Sequence, residues 1–286
     1  MDIGIGLPAT IPGVTPREIL DFARKADAGP FTTLTMIDRL VFDNYEPLVT
    51  LAAVAVATTK VKLMPSVLLA PLRNTPWLAK QAATLDAISG GRLVLGLGVG
   101  AREDDFIAAE AVLSARGKHF EAQIHTMKRL WAGEPLNDEV GPIGPPPSRP
   151  GGPLLMIGGY HPAAINRVRW ADGYVTGGRP VTDLRQFYDM AEAAWRDEGR
   201  LGKPALQSGI PFALGERALQ GTIEFGQKYY AFMGANVAKR TAAILKTPQE
   251  IRDAIKAFED IGTDELTFSP GVPDLDQVER LADIIG

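Results

Sequence analysis

Eight short apolar runs, each able to be a buried strand, are threaded through this chain, and most are followed by a helix-like segment. They are Ile3–Leu7, Thr33–Ile37, Val61–Met64 continuing into Ser66–Leu69, Leu93–Leu97, Leu154–Ile157, Tyr174–Thr176, Ile210–Leu214 and Glu265–Phe268. The first four recur at roughly 30 residues, the length of one strand–helix unit. Eight such units close into a parallel (β/α)8 barrel, for which roughly 250 residues suffice; the chain has 286. On such a barrel, sites form where strands end and the following loops begin. The strand ends here carry Asp38-Arg39, Ser66-Val67, Gly96-Leu97-Gly98-Val99-Gly100, Gly158-Gly159 and Gly177-Gly178.

Composition narrows the chemistry. A 45% hydrophobic, 22% charged chain is ordinary globular material, long enough for one large core. A net charge of −4 gives no electrostatic reason to expect nucleic acid or an anionic membrane as partner. Without cysteine there are no disulfides, thiolate catalysis or cysteine metal sites. His119, His125 and His161 do not form a metal set, because the first two fall on different faces of a helix. Met1-Asp2 offers no basic leader region, and Leu51–Ala57 is too short to span a bilayer, so a cytoplasmic protein is expected.

Thr15-Pro16-Arg17-Glu18 reads as a helix start, with Thr15 as N-cap, Pro16 at the first position and Glu18 completing a capping box. Pro65 interrupts the third strand and predicts a bulge or bend there. Helices are expected over about 75–88, 118–131, 162–170 and 182–198, and over 216–245 with breaks at Gly221, Gly226 and Gly234. A last helix is expected over 274–285. Residues 133–153 turn rich in proline and glycine and read as an excursion before strand five. The whole of 1–286 is therefore expected to be one domain.

Gly96–Ala101 formally fits a dinucleotide fingerprint, but it follows three strand–helix units, whereas a dinucleotide-binding domain starts with that motif. Its competing readings are a strand end that lets a flat ring approach the backbone and a tight turn without a ligand. Gly158-Gly159 and Gly177-Gly178 suit phosphate binding through exposed N–H groups. Asp38 can orient a substrate-facing Arg39, or the two can be a solvated pair. Arg73 and Arg102 lie just beyond strand ends and are candidate substrate anion holders. Tyr229, Tyr230 and Phe232 can wall an apolar pocket or simply pack. No self-sufficient set of acid, base and nucleophile is evident, as expected where a cofactor carries the chemistry.

Together these stretches resemble the bacterial luciferase-like superfamily of FMN- or coenzyme F420-dependent oxidoreductases and monooxygenases. The matching residues are Ile37-Asp38-Arg39, Ser66–Pro76, Leu78–Asp86, Ser89-Gly90-Gly91-Arg92-Leu93 leading to Gly100, Gly158-Gly159, Ala171-Asp172-Gly173 and Glu265–Pro270. The resemblance implies a TIM barrel with an insertion after strand four. It implies F420 or FMN at the strand ends, held by Asp38, Ser66, Val67, Gly98, Gly100, Gly158, Gly159, Gly177 and Gly178. It further implies a non-proline cis peptide between Ser66 and Val67. The Ser66-Val67-Leu68 run looks like the F420-using branch, which favours F420.

The chain also departs from the family. Many members have histidine where this chain has Arg39, and several F420 users have glutamate where it has Ala101. The usual acid/base assignment therefore does not transfer, and an arginine cannot shuttle protons. Asp38 and Arg39 are the expected catalytic residues, with Arg39 stabilising an anionic ring or substrate. The expected reaction is hydride transfer to or from F420, or FMN-based oxygenation, on a small organic molecule. A homodimer and a separate flavin or F420 reductase are the candidate protein partners. The rival readings are a non-catalytic flavin-binding barrel subunit and a nicotinamide-dependent dehydrogenase using Gly96–Ala101.

Overall fold

The computed structural model describes residues 1–286 except Met233, Ala235, Asn236, Lys239 and Arg240. Nine parallel strands follow one another around a ring: β1 (Asp2–Gly6), β2 (Thr33–Met36), β3 (Lys62–Pro65), β4 (Leu68–Leu69), β5 (Val94–Gly98), β6 (Leu154–Gly158), β7 (Gly173–Val175), β8 (Ala205–Phe212) and β9 (Glu265–Pro270). The order β3-β2-β1-β9-β8-β7-β6-β5-β4 leaves β3 at one end and β4 at the other. These two are halves of one strand, broken after Pro65 as the proline predicts. The ring closes through a Leu63–Leu93 bridge and the Leu68–Leu97 pairing of β4 with β5. The architecture is thus an eight-membered parallel barrel in which one member is interrupted.

The helices are α1 (Pro16–Ala28), α2 (Pro47–Ala57), α3 (Thr75–Ile88), α4 (Glu103–Ala108), α5 (Arg116–Trp131), α6 (Pro162–Ile165), α7 (Val181–Asp197), α8 (Glu216–Tyr229), α9 (Val237–Ala242), α10 (Pro248–Asp260) and α11 (Asp276–Ile285). The Thr15 capping box opens α1 as expected. The same box, Thr247 with Glu250, opens α10, a helix the apolar spacing alone had not brought out. The expected helix over 162–170 divides into α6 and a 3-10 turn. No break occurs in α8 at Gly221 or Gly226. A side chain at Gly221 would meet Val272 Cγ1 at 2.5 Å, so that glycine serves close packing inside a continuous helix.

Strand β8 begins five residues before the expected Ile210. Gln207 and Ser208 hide its start from a hydropathy reading, yet both are buried. The Gln207 amide donates to Glu265 at 2.9 Å, pairing two polar side chains between neighbouring strands.

Two of the family-like motifs serve the scaffold. The Arg92 guanidinium donates to the carbonyls of Ala55, Thr58, Val61 and Ser89, which ties the end of α2 to the start of β5. Buried Asp86 accepts from the Ser148 N–H at 2.7 Å, and Lys80 Nζ donates to the Gly144 carbonyl, fastening the stretch 133–153 to α3. Among the described residues no helix is long and apolar enough to cross a membrane.

Tyr174 and Tyr188 are fully buried and meet edge to face at 6.3 Å. Burial pushes the Tyr188 phenol up to about 12 and raises Tyr174 further. In the unfolded chain both titrate near 10. Their contribution to stability is therefore complete below about pH 10 and is lost as pH rises through the folded-state values. The urea midpoint should fall between about pH 9 and about pH 11, while the folded chain shows no phenolate absorbance from these two residues.

Candidate active site

The strand C-termini open into one cavity of about 590 Å³. Ser66, Val67, Gly98, Gly100, Gly158, Gly159, Gly177 and Gly178 all line it. The Ser66–Val67 peptide is cis, as the resemblance implied. Val67 is wedged between the ends of β5 and β6. A Cβ on Gly98 would lie 2.6 Å from Val67 Cγ2, and one on Gly158 would lie 2.7 Å from Cγ1. A Cβ on Gly96 would lie 2.3 Å from the Pro65 carbonyl oxygen. The formal dinucleotide run is thus glycine-rich because the broken third strand leans on it.

The expected catalytic pair lies outside this lining. Asp38 is buried; its carboxylate accepts from the Leu69 N–H at 2.8 Å and from both Arg73 terminal nitrogens at 2.7 and 3.2 Å. Arg73 also reaches Glu46 at 3.1 Å. Burial opposes its charge, but Asp38 and then Glu46 raise it above the ordinary arginine value. Arg73 is thereby committed to protein carboxylates. Arg102 is committed as well, bonded to Asp104 and stacked over Phe232 at 4.5 Å. At the last glycine pair the N–H groups are also engaged: Gly177 donates to the Tyr160 hydroxyl, and Gly178 to the Gly209 carbonyl at 2.9 Å. This leaves neither amide open for a phosphate in this structure.

Arg39 is placed among protein groups, outside the lining. Its guanidinium packs against the edge-to-face pair Phe42 and Tyr229, 5.2 and 5.3 Å from their centroids, and pairs with buried Asp105 at 3.4 Å. Asp105 in turn accepts from the N–H groups of Leu40 and Val41. One cation therefore clamps three segments: the loop after β2, the short helix α4 and the end of α8. Of the aromatic trio, only Tyr230 lines the cavity; Tyr229 packs on the clamp and Phe232 on Arg102.

Spacing did not bring out three lining residues with usable chemistry. Arg116, at the first position of α5, donates to the Leu113 carbonyl, has no carboxylate partner among the described residues, and keeps a buried, unpartnered Nε. His161 caps α6, its Nδ1 accepting from the Ala163 N–H at 3.2 Å; its neutral form therefore carries hydrogen on Nε2. Tyr160 holds the Gly177 backbone. A signal for Arg116 was present: it opens the helix whose start the apolar stripe placed at Lys118. A floor of glycines, where a side chain would clash, and one uncompensated cation fit a flat ring carrying a phosphate-bearing tail.

Gly98→Ala should destabilise the fold by about 1–3 kcal/mol through overpacking against Val67. The double variant Gly98→Ala/Val67→Ala should recover part of that loss in urea unfolding. Arg39→Met should cost about 1–3 kcal/mol, because it removes the nearer of the two guanidinium groups paired with buried Asp105 and leaves Arg102 at 3.9 Å. A residue acting only on substrate would leave the unfolding midpoint unchanged.

Comparison with known proteins agrees with this geometry. The luciferase-like monooxygenase family matches residues 1–238. An uncharacterized protein of Mycobacterium tuberculosis is 32% identical over 162 residues, 54% of this chain and 56% of that one, so the chain spans little more than half of that relative's length. The F420-dependent glucose-6-phosphate dehydrogenase of Kineococcus radiotolerans is 25% identical over 309 aligned residues, covering 93% of this chain and 91% of the other. Among solved structures, an F420-dependent secondary alcohol dehydrogenase in complex with an F420-acetone adduct superposes with a TM-score of 0.82 at 16% identity, over 99% of this chain and 98% of that one. The oxygenating constituent of 3,6-diketocamphane monooxygenase from Pseudomonas putida, in complex with FMN, superposes with a TM-score of 0.78 at 15% identity, over 100% and 98%. The chain belongs to the luciferase-like monooxygenase family.

Proposed function

We propose that this chain is an F420-dependent oxidoreductase acting on a small organic substrate. The observation that carries the reading is the glycine floor beneath Val67 in a cavity whose described lining holds a single guanidinium, Arg116, without a carboxylate partner. The choice of F420 over FMN is supported by relatives named as F420-dependent and by the Ser66-Val67-Leu68 run. FMN is the second reading, favoured by the FMN-bound neighbour.

F420, when bound, supplies a ring that takes up or returns hydride. Val67, with Gly98 and Gly158 at its sides, would support the ring face. Arg116, the one guanidinium in the described lining, would hold the anionic tail. Tyr160 keeps the Gly177 turn in place in the same lining. Leu7, Met36, Ile37 and Ile210 are apolar lining residues that would help exclude water from the bound cofactor. Asp38 and Arg39 act from behind the wall: Asp38 anchors Leu69 after the strand break, and Arg39 holds the end of α8. His161 is the one imidazole in the described lining, and its Nε2 is the atom on which it would hold an exchangeable proton.

Fluorescence titration of the purified chain with F420, FMN and riboflavin tests the reading. F420 should bind more tightly than FMN. Arg116→Gln should weaken F420 and FMN by roughly tenfold to a hundredfold, the loss of one charge-assisted hydrogen bond, and leave phosphate-free riboflavin unaffected. Binding of none of the three would refute the cofactor assignment.

A further inference from the structure

We infer that the substrate of this cavity is an uncharged molecule with a largely hydrocarbon body, selected by the wall that α8 supplies. The inference rests on the oxidoreductase reading above and names the substrate class for that site. Helix α8 sets the pattern. Thr222, Phe225, Gly226 and Tyr230 fall at helical spacing and line the cavity. The helix's charged residues Glu216, Arg217, Glu224 and Lys228 are all exposed to solvent. Leu7, Ile37 and Ile244 extend the apolar lining.

The electrostatics decide the class. Among the described lining residues there is no Lys, Asp or Glu, and Arg116 is the one guanidinium. The two arginines that sequence position offered to a substrate anion are spent elsewhere, Arg73 on Asp38 and Glu46, Arg102 on Asp104. A charged group brought against the α8 wall would lose its hydration and meet no counter-charge among the described residues of that wall, which costs more than hydrocarbon contact returns. A neutral hydroxyl or carbonyl meets no such penalty, because Thr10 and Ser269 belong to the same lining with hydroxyls that can donate or accept, and the Thr241 hydroxyl, which donates to the Ala238 carbonyl, can accept.

Isothermal titration with 2-octanone, octanoate and glucose 6-phosphate tests this, on the cofactor-loaded chain and on the cofactor-free Arg116→Gln variant. In both, 2-octanone should bind, with octanoate at least about tenfold weaker and glucose 6-phosphate weaker still. Phe225→Lys places a cation on the wall and should reverse the order of ketone and octanoate; Ile244→Lys does the same should the first variant not fold. Octanoate or glucose 6-phosphate binding as tightly as the ketone, or no ketone binding in either form, overturns the inference. Failure of both F420 and FMN to bind the native chain overturns the cofactor reading instead, and the Arg116→Gln arm still decides the character of the wall.

Discussion

The open end of this barrel depends on the break in its third strand. Pro65 cannot donate to a ladder, and the chain restarts as β4 only at Leu68. The Leu69 N–H is taken by the Asp38 carboxylate, a side chain from the end of the neighbouring strand. That carboxylate needs a counter-charge once buried, and Arg73, four residues further along, supplies it. Val67, turned across the neighbouring strand ends, forbids side chains at Gly98 and Gly158. One interruption thus accounts for an acid, a base and two glycines that a motif reading assigns to ligand binding.

A second consequence is electrostatic. The rim of the barrel holds many charges, but they are matched within the protein: Arg39 with Asp105, Arg102 with Asp104, Arg73 with Asp38 and Glu46. A buried pair of this kind adds little net stability, yet losing one member is costly, so the pairs hold the loops in register. Arg39 and Asp105 do this most clearly, joining α4, the loop after β2 and the aromatic end of α8. Neutralising the rim in pairs leaves Arg116 as the sole uncompensated cation in the described lining, so recognition there divides into one anionic contact and a broad apolar one.

Much of this was legible in the chain itself. Period and apolar runs led to the barrel; Thr15, Pro16 and Glu18 led to the first helix boundary; Pro65 led to the bulge. The misreadings have physical causes. Gln207 and Ser208 look like loop residues because hydropathy assumes polar side chains face water, yet the barrel buries both, Gln207 against Glu265. Gly221 and Gly226 look like helix breaks, yet α8 runs through both, and at Gly221 the contact with Val272 favours glycine. The start of α10 carries a capping box like that of α1, but only Ile251 and Phe258 are buried in this helix, so apolar spacing marks it weakly.

The sequence by itself determined the barrel, the end of it at which the cavity opens and the family, since these depend on local periodicity and on short motifs that travel with their strands. It could not determine which charged residues are free to act. Asp38, Arg39, Arg73 and Arg102 look alike along the chain, as charges just past strand ends. Only the closed barrel brings Asp38 to Arg73 and Arg39 to Asp105, across 35 and 66 residues of chain. The same closure leaves Arg116 without a carboxylate partner among the described residues. Partnering is a long-range property, set by which strand ends become neighbours when the ring closes, and it separates the residues that build this site from those that face its ligand.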